Sequence, residues 1–169
     1  FANTPTLIAP LLGIPTSGDL TNCTGLYHNS SYELTNLGLA VSVAANALTI
    51  ALKQKDGATD PNTGSAAVRV GFRSVTATSG LYTQVSVTGA LSVVVSSGST
   101  LGTVSGVKTT LYVYLINNAG TAELAVCGQA QYCDGTVASS TAEGGAGGAD
   151  TSGVLYSTTA RTSVPIRLI

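Results

Sequence analysis

Residues 111–126, LYVYLINNAGTAELAV, contain the clearest structural signal in the chain. Two apolar runs, 111–116 and 122–126, flank the tetrapeptide Asn117-Asn118-Ala119-Gly120. Asn and Gly accept the positive φ angles of a tight hairpin turn, so this stretch predicts two antiparallel strands joined by a short connection. We expect the rest of the chain to build a β fold around this hairpin.

The same alternation of apolar and small residues occurs upstream. Leu39, Val41 and Val43 alternate with small or polar residues, and the pattern resumes after Ala45-Asn46 over residues 48–52. This pattern predicts a second hairpin. Further strands are predicted at residues 68–72, 82–87 and 91–95, with the last two flanking Gly89, and a final strand pair at 154–159 and 164–169. Residues 135–153, rich in Gly, Ala, Ser and Thr, are expected to form a long loop.

Eight or nine short strands with turn signals at roughly 8–12-residue spacing are typical of a β-sandwich or barrel. A chain of 169 residues accommodates one such domain with a short extension. We therefore predict an all-β fold, with residues 26–169 forming a jelly-roll-like antiparallel β-sandwich behind an N-terminal extended arm.

Composition excludes several classes of protein. Charged residues make up 9% of the chain, against about a quarter in an average domain, while hydrophobic residues reach 44%. This hydrophobic content argues against disorder. A net charge of −1 gives no basis for nucleic-acid binding, and no apolar run is long enough for membrane insertion.

The extended arm, residues 1–25, is punctuated by Pro5, Pro10 and Pro15. Each proline fixes φ and pushes the preceding residue towards extended geometry, which excludes a helix. So thin a segment cannot bury its own apolar side chains, which are Leu7, Ile8, Leu11, Leu12 and Ile14. Two alternatives remain open: the arm folds over its own domain, or it packs between symmetry-related copies. Because the chain begins at Phe1 and contains no Met, we expect it to be a processed protein or a segment of a longer one.

No catalytic constellation is expected. His28 is the single histidine and lies in a polar joint, away from any Gly-x-Ser-x-Gly elbow. A glycosidase needs two converging carboxylates, usually with aromatic side chains for the sugar, and the chain has no Trp. We therefore predict a protein that is not an enzyme and uses no cofactor.

Two local patterns remain as weaker candidates. Asp56, Asp60 and Asn62 offer oxygen ligands for Ca²⁺, but their spacing is that of ordinary turns, so no metal is expected. Cys127 and Cys133 bracket a short loop, and an oxidising location favours a disulfide worth about 2.4 kcal/mol by chain entropy. Cys23 is then left free or paired with another chain.

The proline-punctuated segment TPTLIAPLLGIPTSGDLTNCTG resembles the form TPTL-x-x-P-x-LG-x-P-x-SG-x-LTNCTG of tailed-bacteriophage tail-fibre and appendage proteins. Residues 111–126 and 139–169, the latter reading SSTAEGGAGGADTSGVLYSTTARTSVPIRLI, also resemble a region of phage and prophage tail-fibre-like proteins. Residues 26–110 carry no such resemblance. The resemblance implies a viral structural protein on the virion surface or outside the cell, and it carries over no catalytic residue.

Fibre proteins of this kind are commonly homotrimers, and a trimer would bury the apolar arm. We therefore expect a non-enzymatic tail-fibre or appendage subunit that contacts other virion proteins and a host surface glycan. Loops 53–64 and 128–153 are the expected recognition loops, with Tyr132 and Asp134 as candidate contact residues. The alternative is a capsid decoration protein, or an extracellular filament subunit whose arm completes a neighbour's sheet by strand addition.

Overall fold

The structure, a computed structural model, describes residues 33–74, 82–130, 132, 135–144 and 151–169. These residues form eleven β-strands and one short 3₁₀ helix, Gly64–Ala66. The strands are β1 (Leu34–Thr35), β2 (Gly38–Ala44), β3 (Ala47–Lys53), β4 (Val68–Arg73), β5 (Tyr82–Val87), β6 (Leu91–Val95), β7 (Tyr112–Asn118), β8 (Thr121–Cys127), β9 (Val137–Ala142), β10 (Tyr156–Ser157) and β11 (Arg161–Leu168). Within these ranges, no helix is long and apolar enough to cross a membrane.

Both predicted hairpins are present. β7 and β8 pair antiparallel around Ala119 and Gly120, whose φ angles of 49° and 94° are those of a type I′ turn. The amide of Gly120 donates to the side-chain oxygen of Asn117 over 2.7 Å, which holds the turn closed. β2 and β3 pair in the same way around Ala45 and Asn46, both with positive φ.

Five strands close into a small barrel in the order β10-β8-β7-β11-β9, completed by the parallel pairing of β9 with β10. A barrel with so few strands is filled by its own side chains. Its interior contains a cluster of buried residues: Tyr114, Ile116, Ala125, Cys127, Ala138, Leu155, Val164 and Ile166. The barrel is therefore a packed core and not a channel.

A second and larger core lies between the barrel wall and two three-stranded sheets, β1-β4-β5 and β2-β3-β6. Successive residues of a strand point to opposite faces, so the β7–β8 hairpin serves both cores. Tyr114 and Ile116 point into the barrel, while Leu115 and Leu124 point into the larger core. This double burial explains why both faces of the hairpin are apolar.

The prediction of an all-β fold is confirmed. The finer prediction of a jelly-roll-like sandwich is not confirmed, because the described strands pair as a closed five-stranded barrel and two small sheets. The domain boundary at residue 25 lies outside the described residues.

Three predictions about individual strands were wrong. Strands β5 and β6 do not pair with each other: β5 pairs with β4 and β6 with β3, so residues 88–90 cross between the two sheets. Strands β10 and β11 are separated by β9. The expected loop 135–153 contains β9, whose inward residues Ala138 and Ser140 are small enough to lie inside a narrow barrel.

Candidate functional site

Strand β2 forms one edge of its sheet and carries the most conspicuous exposed apolar side chains. Val41 and Val43 are 64% and 70% exposed. Their cross-strand partners on β3 are Ile50, which is buried, and Leu48, which is half-buried. The core-facing side of this sheet therefore continues as an apolar surface from the protein interior out to solvent. We call Val41, Val43 and the backbone between them the β2 edge.

The backbone of the β2 edge is oriented for further pairing. Ala44 and Ala47 flank a two-residue turn and so form a hydrogen-bonded pair, and bonding to β3 then alternates along β2. Ser42 bonds to β3, whereas the N–H and C=O groups of Val41 and Val43 point away from it. The sequence of the strand, GLAVSVA, contains no charge and no proline, and its register has no bulge. Natural proteins use those features to protect strand edges, and this edge has none of them.

An open groove of about 300 Å³ lies beside the β2–β3 turn. Asn46 and Leu48 line one side, Val95 on β6 another, and Val107 the connection between β6 and β7. Val104 and Val107 are 66% and 61% exposed. The rest of the lining is dominated by hydroxyl side chains, from Ser96, Ser99, Thr100, Thr103 and Thr109. The groove therefore extends the apolar surface of the edge and gives it a polar border.

A compact loop covers the opposite end of β2. The Asp56 carboxylate accepts hydrogen bonds from the amides of Ala58 and Thr59 and from the Thr59 hydroxyl, which lower its pKa to about 2. The amide of Gln54 donates to the Thr59 carbonyl over 2.8 Å. A side chain at Gly38 would overlap the Gln54 carbonyl, so only glycine lets this loop pack on the start of the strand. Pairing is therefore open only along the second half of β2.

The candidate calcium ligands all have other partners. Asp56 caps its own loop, and Asp60 accepts from the Lys53 ammonium over 2.5 Å. The Asn62 side-chain oxygen accepts from the amide of Thr63 over 2.7 Å. In the part of the chain that the structure describes, no three His, Cys, Asp or Glu side chains are grouped as a metal site. The three residues therefore shape turns.

Tyr132 lies at one end of the barrel and is half-buried. Its ring meets that of Tyr114 edge to face, with centroids 5.9 Å apart, and its hydroxyl donates to the Gly153 carbonyl over 3.5 Å. Part of the ring is therefore engaged within the protein, which leaves less of it for a sugar. Asp134, the other candidate recognition residue, lies outside the described residues.

Cys127 is a buried, free thiol inside the barrel. Its Sγ donates to the Ser152 carbonyl over 3.4 Å, and burial raises the pKa of the thiol. A thiol held protonated in this way is a poor nucleophile. Cys133 lies outside the described residues, so the disulfide between the two stays a prediction.

One ion pair connects distant strands of the barrel. Arg161 on β11 binds Glu123 on β8 through two hydrogen bonds, of 2.9 and 2.7 Å. The Arg161 guanidinium lowers the pKa of the Glu123 carboxyl, and Asn118 adds a third hydrogen bond of 3.0 Å. Both side chains are mostly covered, at 21% and 28% exposure. The pair therefore joins β8 and β11 across the barrel.

The residues predicted to form the oligomerisation arm, Leu7, Ile8, Leu11, Leu12 and Ile14, lie outside the described residues, as does His28. The amino-acid sequence alone did not indicate the β2 edge as a candidate site. The apolar residues Val41 and Val43 are visible in the sequence, but the alternation of apolar and small residues predicts only a strand. It does not show whether that strand is central or at the edge of a sheet. Only the pairing pattern, in which β3 is the one described strand beside β2, distinguishes the two.

No protein-family model matches the chain, and neither a curated protein nor a solved structure matches it.

Proposed function

We propose that this chain is a non-enzymatic structural subunit of a virion, a tail-fibre or appendage protein that acts by assembly and host-surface contact. The observation that carries the proposal is the β2 edge, where two valines more than 60% exposed lie on an unprotected strand. The resemblance of residues 4–25 and of the C-terminal region to tail-fibre proteins supports the virion setting.

Exposed apolar surface next to open backbone favours a protein partner. Val43 lies opposite Leu48, which lines a groove that also exposes Val107, with Val104 on the same connection. Contiguous apolar surface rimmed by polar groups is typical of protein–protein interfaces. The hydroxyl side chains that line the rest of the groove form a polar rim of this kind.

A closed homotrimer is the leading arrangement, since fibre proteins are commonly trimeric and the apolar arm needs cover from other subunits. The open backbone of the β2 edge favours a second candidate, a capsid decoration protein or extracellular filament subunit that assembles by strand addition. The two differ in symmetry, because a closed ring ends at a fixed copy number and a head-to-tail contact that does not close forms a polymer.

Host-surface contact is assigned to the loops. Loop 53–64 is held in one shape by Asp56 and Lys53, and rigid loops pay less entropy on binding than mobile ones. A surface glycan offers hydroxyl groups that pair with the polar side chains of such a loop. A jelly-roll-like order of the strands stays part of the proposal, as an elaboration of the all-β fold.

The solution mass of the full chain, measured by light scattering on a sizing column over a concentration series, tests the proposal. A stable mass near three times 16.8 kDa supports the fibre trimer, and long polymers support the filament alternative. A monomer that persists at every concentration would contradict assembly as the function.

A further inference from the structure

We infer that residues 6–14 of a neighbouring copy add to the β2 edge as a fourth strand of the sheet β2-β3-β6. This inference rests on the proposed function, assembly, and specifies which surface receives the arm and in which orientation.

The β2 edge is the best acceptor among the described strands. The opposite edge strand of the same sheet, β6, exposes Ser92 and one valine, Val94, at 44%, and the Ser96 hydroxyl just beyond it donates to Glu143 over 2.6 Å. In the other sheet, β1 has only two residues, and the exposed side chains along β5 are polar: Thr83, Gln84 and Ser86. An apolar strand therefore matches β2 better than the other edges.

The prolines of the arm allow one orientation only. Alternate residues of a strand direct their N–H and C=O groups to the same side. Pro10 has no N–H, so the even-numbered residues must face away from β2 and the odd-numbered ones must bond to it. Pro5 and Pro15 are odd-numbered and cannot donate, so they end the pairing at both sides. The strand that fits is therefore residues 6–14.

This orientation also sets the two faces of the added strand. We place the arm antiparallel to β2, where residues directly opposite each other share a face, so odd-numbered Leu7 and Leu11 fall on the same face as Val41 and Val43 and extend the apolar surface. Even-numbered residues, Ile8, Leu12 and Ile14, fall on the opposite face, where β2 offers only the small side chains of Ala40 and Ser42.

A strand with apolar side chains on both faces needs a protein surface on each face to bury them. The β2 edge of one copy buries only one of the two faces. The second surface then comes from another copy, so the arm lies between two copies, and we assign it to the neighbour's edge. The 18 residues between Ile14 and Glu33 span up to about 60 Å when extended, enough to reach one. Pro10 then lies on the outer side of the new edge and blocks further strands, so each edge accepts one arm.

The test uses the full chain and a competing peptide with the sequence of residues 4–16 and a C-terminal Lys-Lys tag. We expect an excess of peptide to lower the assembled mass to that of the monomer. N-methylation removes one N–H and leaves the side chain unchanged. N-methylation at Leu11 is expected to raise the peptide concentration needed for dissociation about tenfold or more. It removes one hydrogen bond to β2, and the added methyl group clashes with that strand. N-methylation at Leu12 is expected to change it less than about twofold.

The acceptor is tested with the variants Val41→Lys and Val43→Lys, each of which places a charge on the edge. The matched control is Val137→Lys, which makes the same change at a valine 45% exposed on β9, outside the sheet β2-β3-β6. The two edge variants are expected to be monomeric and the control to assemble as the wild type does. All four proteins should give the same circular dichroism spectrum.

Three results would overturn the inference. Assembly that persists with the edge variants and resists the peptide would leave the proposed function standing and refute the assigned surface. Equal effects of N-methylation at Leu11 and Leu12 would refute the orientation. A wild-type monomer would refute both the inference and the proposed function.

Discussion

Replacing Leu115 or Ile116 with alanine tests whether the two cores form one cooperative unit. Both side chains are fully buried, but they lie on opposite faces of β7: Leu115 contributes to the core between barrel and sheets, and Ile116 to the barrel interior. Truncating a buried Leu or Ile to Ala costs about 2–5 kcal/mol, from lost apolar contacts and the cavity left behind. For a chain of this size, this lowers the melting temperature by roughly 4–20 °C.

The assay is thermal unfolding followed by circular dichroism and by tyrosine fluorescence, at one fixed protein concentration because assembly makes stability depend on concentration. Each variant is expected to unfold in a single transition with both probes coinciding. Val137→Ala, at a residue 45% exposed and away from the β2 edge, is the control and should cost less than about 0.5 kcal/mol. Two separate transitions in either variant, or a cost of less than about 1 kcal/mol, would refute the shared-hairpin account.

Three further changes have defined outcomes. Glu123→Gln should lower the melting temperature by a few degrees at pH 7, because it removes the ion pair with Arg161. The folded pKa of Glu123 lies below its usual 4.5, so the difference in melting temperature from wild type should persist above pH 4.5 and shrink as the pH falls further. A difference that grew in acid would contradict the ion pair. Asp56 has a pKa of about 2, so its hydrogen bonds within the loop should be complete above pH 4 and be lost as the pH falls through 2. An Asp56→Ala variant should speed hydrogen exchange of the Ala58 and Thr59 amides at neutral pH. Unchanged rates in an amide-resolved exchange experiment would refute this prediction. Ala119→Gly should raise the free energy of unfolding in urea by about 0.5–1 kcal/mol, because Ala119 has a φ of 49° that glycine adopts without strain. A destabilised variant would show that the turn carries no such strain.

Local patterns in the sequence predict the hairpins well. Around Asn117-Asn118-Ala119-Gly120, the turn residues and the apolar runs on both sides point to the same structure, and β7 and β8 form as expected. The same agreement holds for β2 and β3. In each case strand and turn are neighbours in sequence, so the pairing depends on no distant contact.

The sequence does not predict which strands pair when they are distant along the chain. β9 was missed because Ala138 and Ser140 do not resemble core residues, yet they fill the narrow barrel that larger side chains would force open. The crossing between β5 and β6 was missed because Gly89 lies where a hairpin turn would lie. Two strands joined by three residues can pair or can enter opposite sheets, and the valines of both strands face the same core in either case.

In the candidate site, too, local properties could be predicted from the sequence and long-range properties could not. The sequence predicts that Val41 and Val43 belong to a strand and that Asp56 and Asp60 lie in turns, which are local properties. Whether a strand edge is open depends on every other strand in the fold. For this reason the β2 edge emerges from the topology and not from any motif.

Residue-resolved amide hydrogen exchange along β2, in dilute and in concentrated protein, tests the account most directly. Ser42 bonds to β3 and should be protected in both states. The amides of Val41 and Val43 should exchange rapidly in the dilute monomer and slow by at least about tenfold on assembly, because a neighbouring strand then accepts their N–H groups. Rapid exchange of Val41 and Val43 in a fully assembled sample would contradict assembly through the β2 edge.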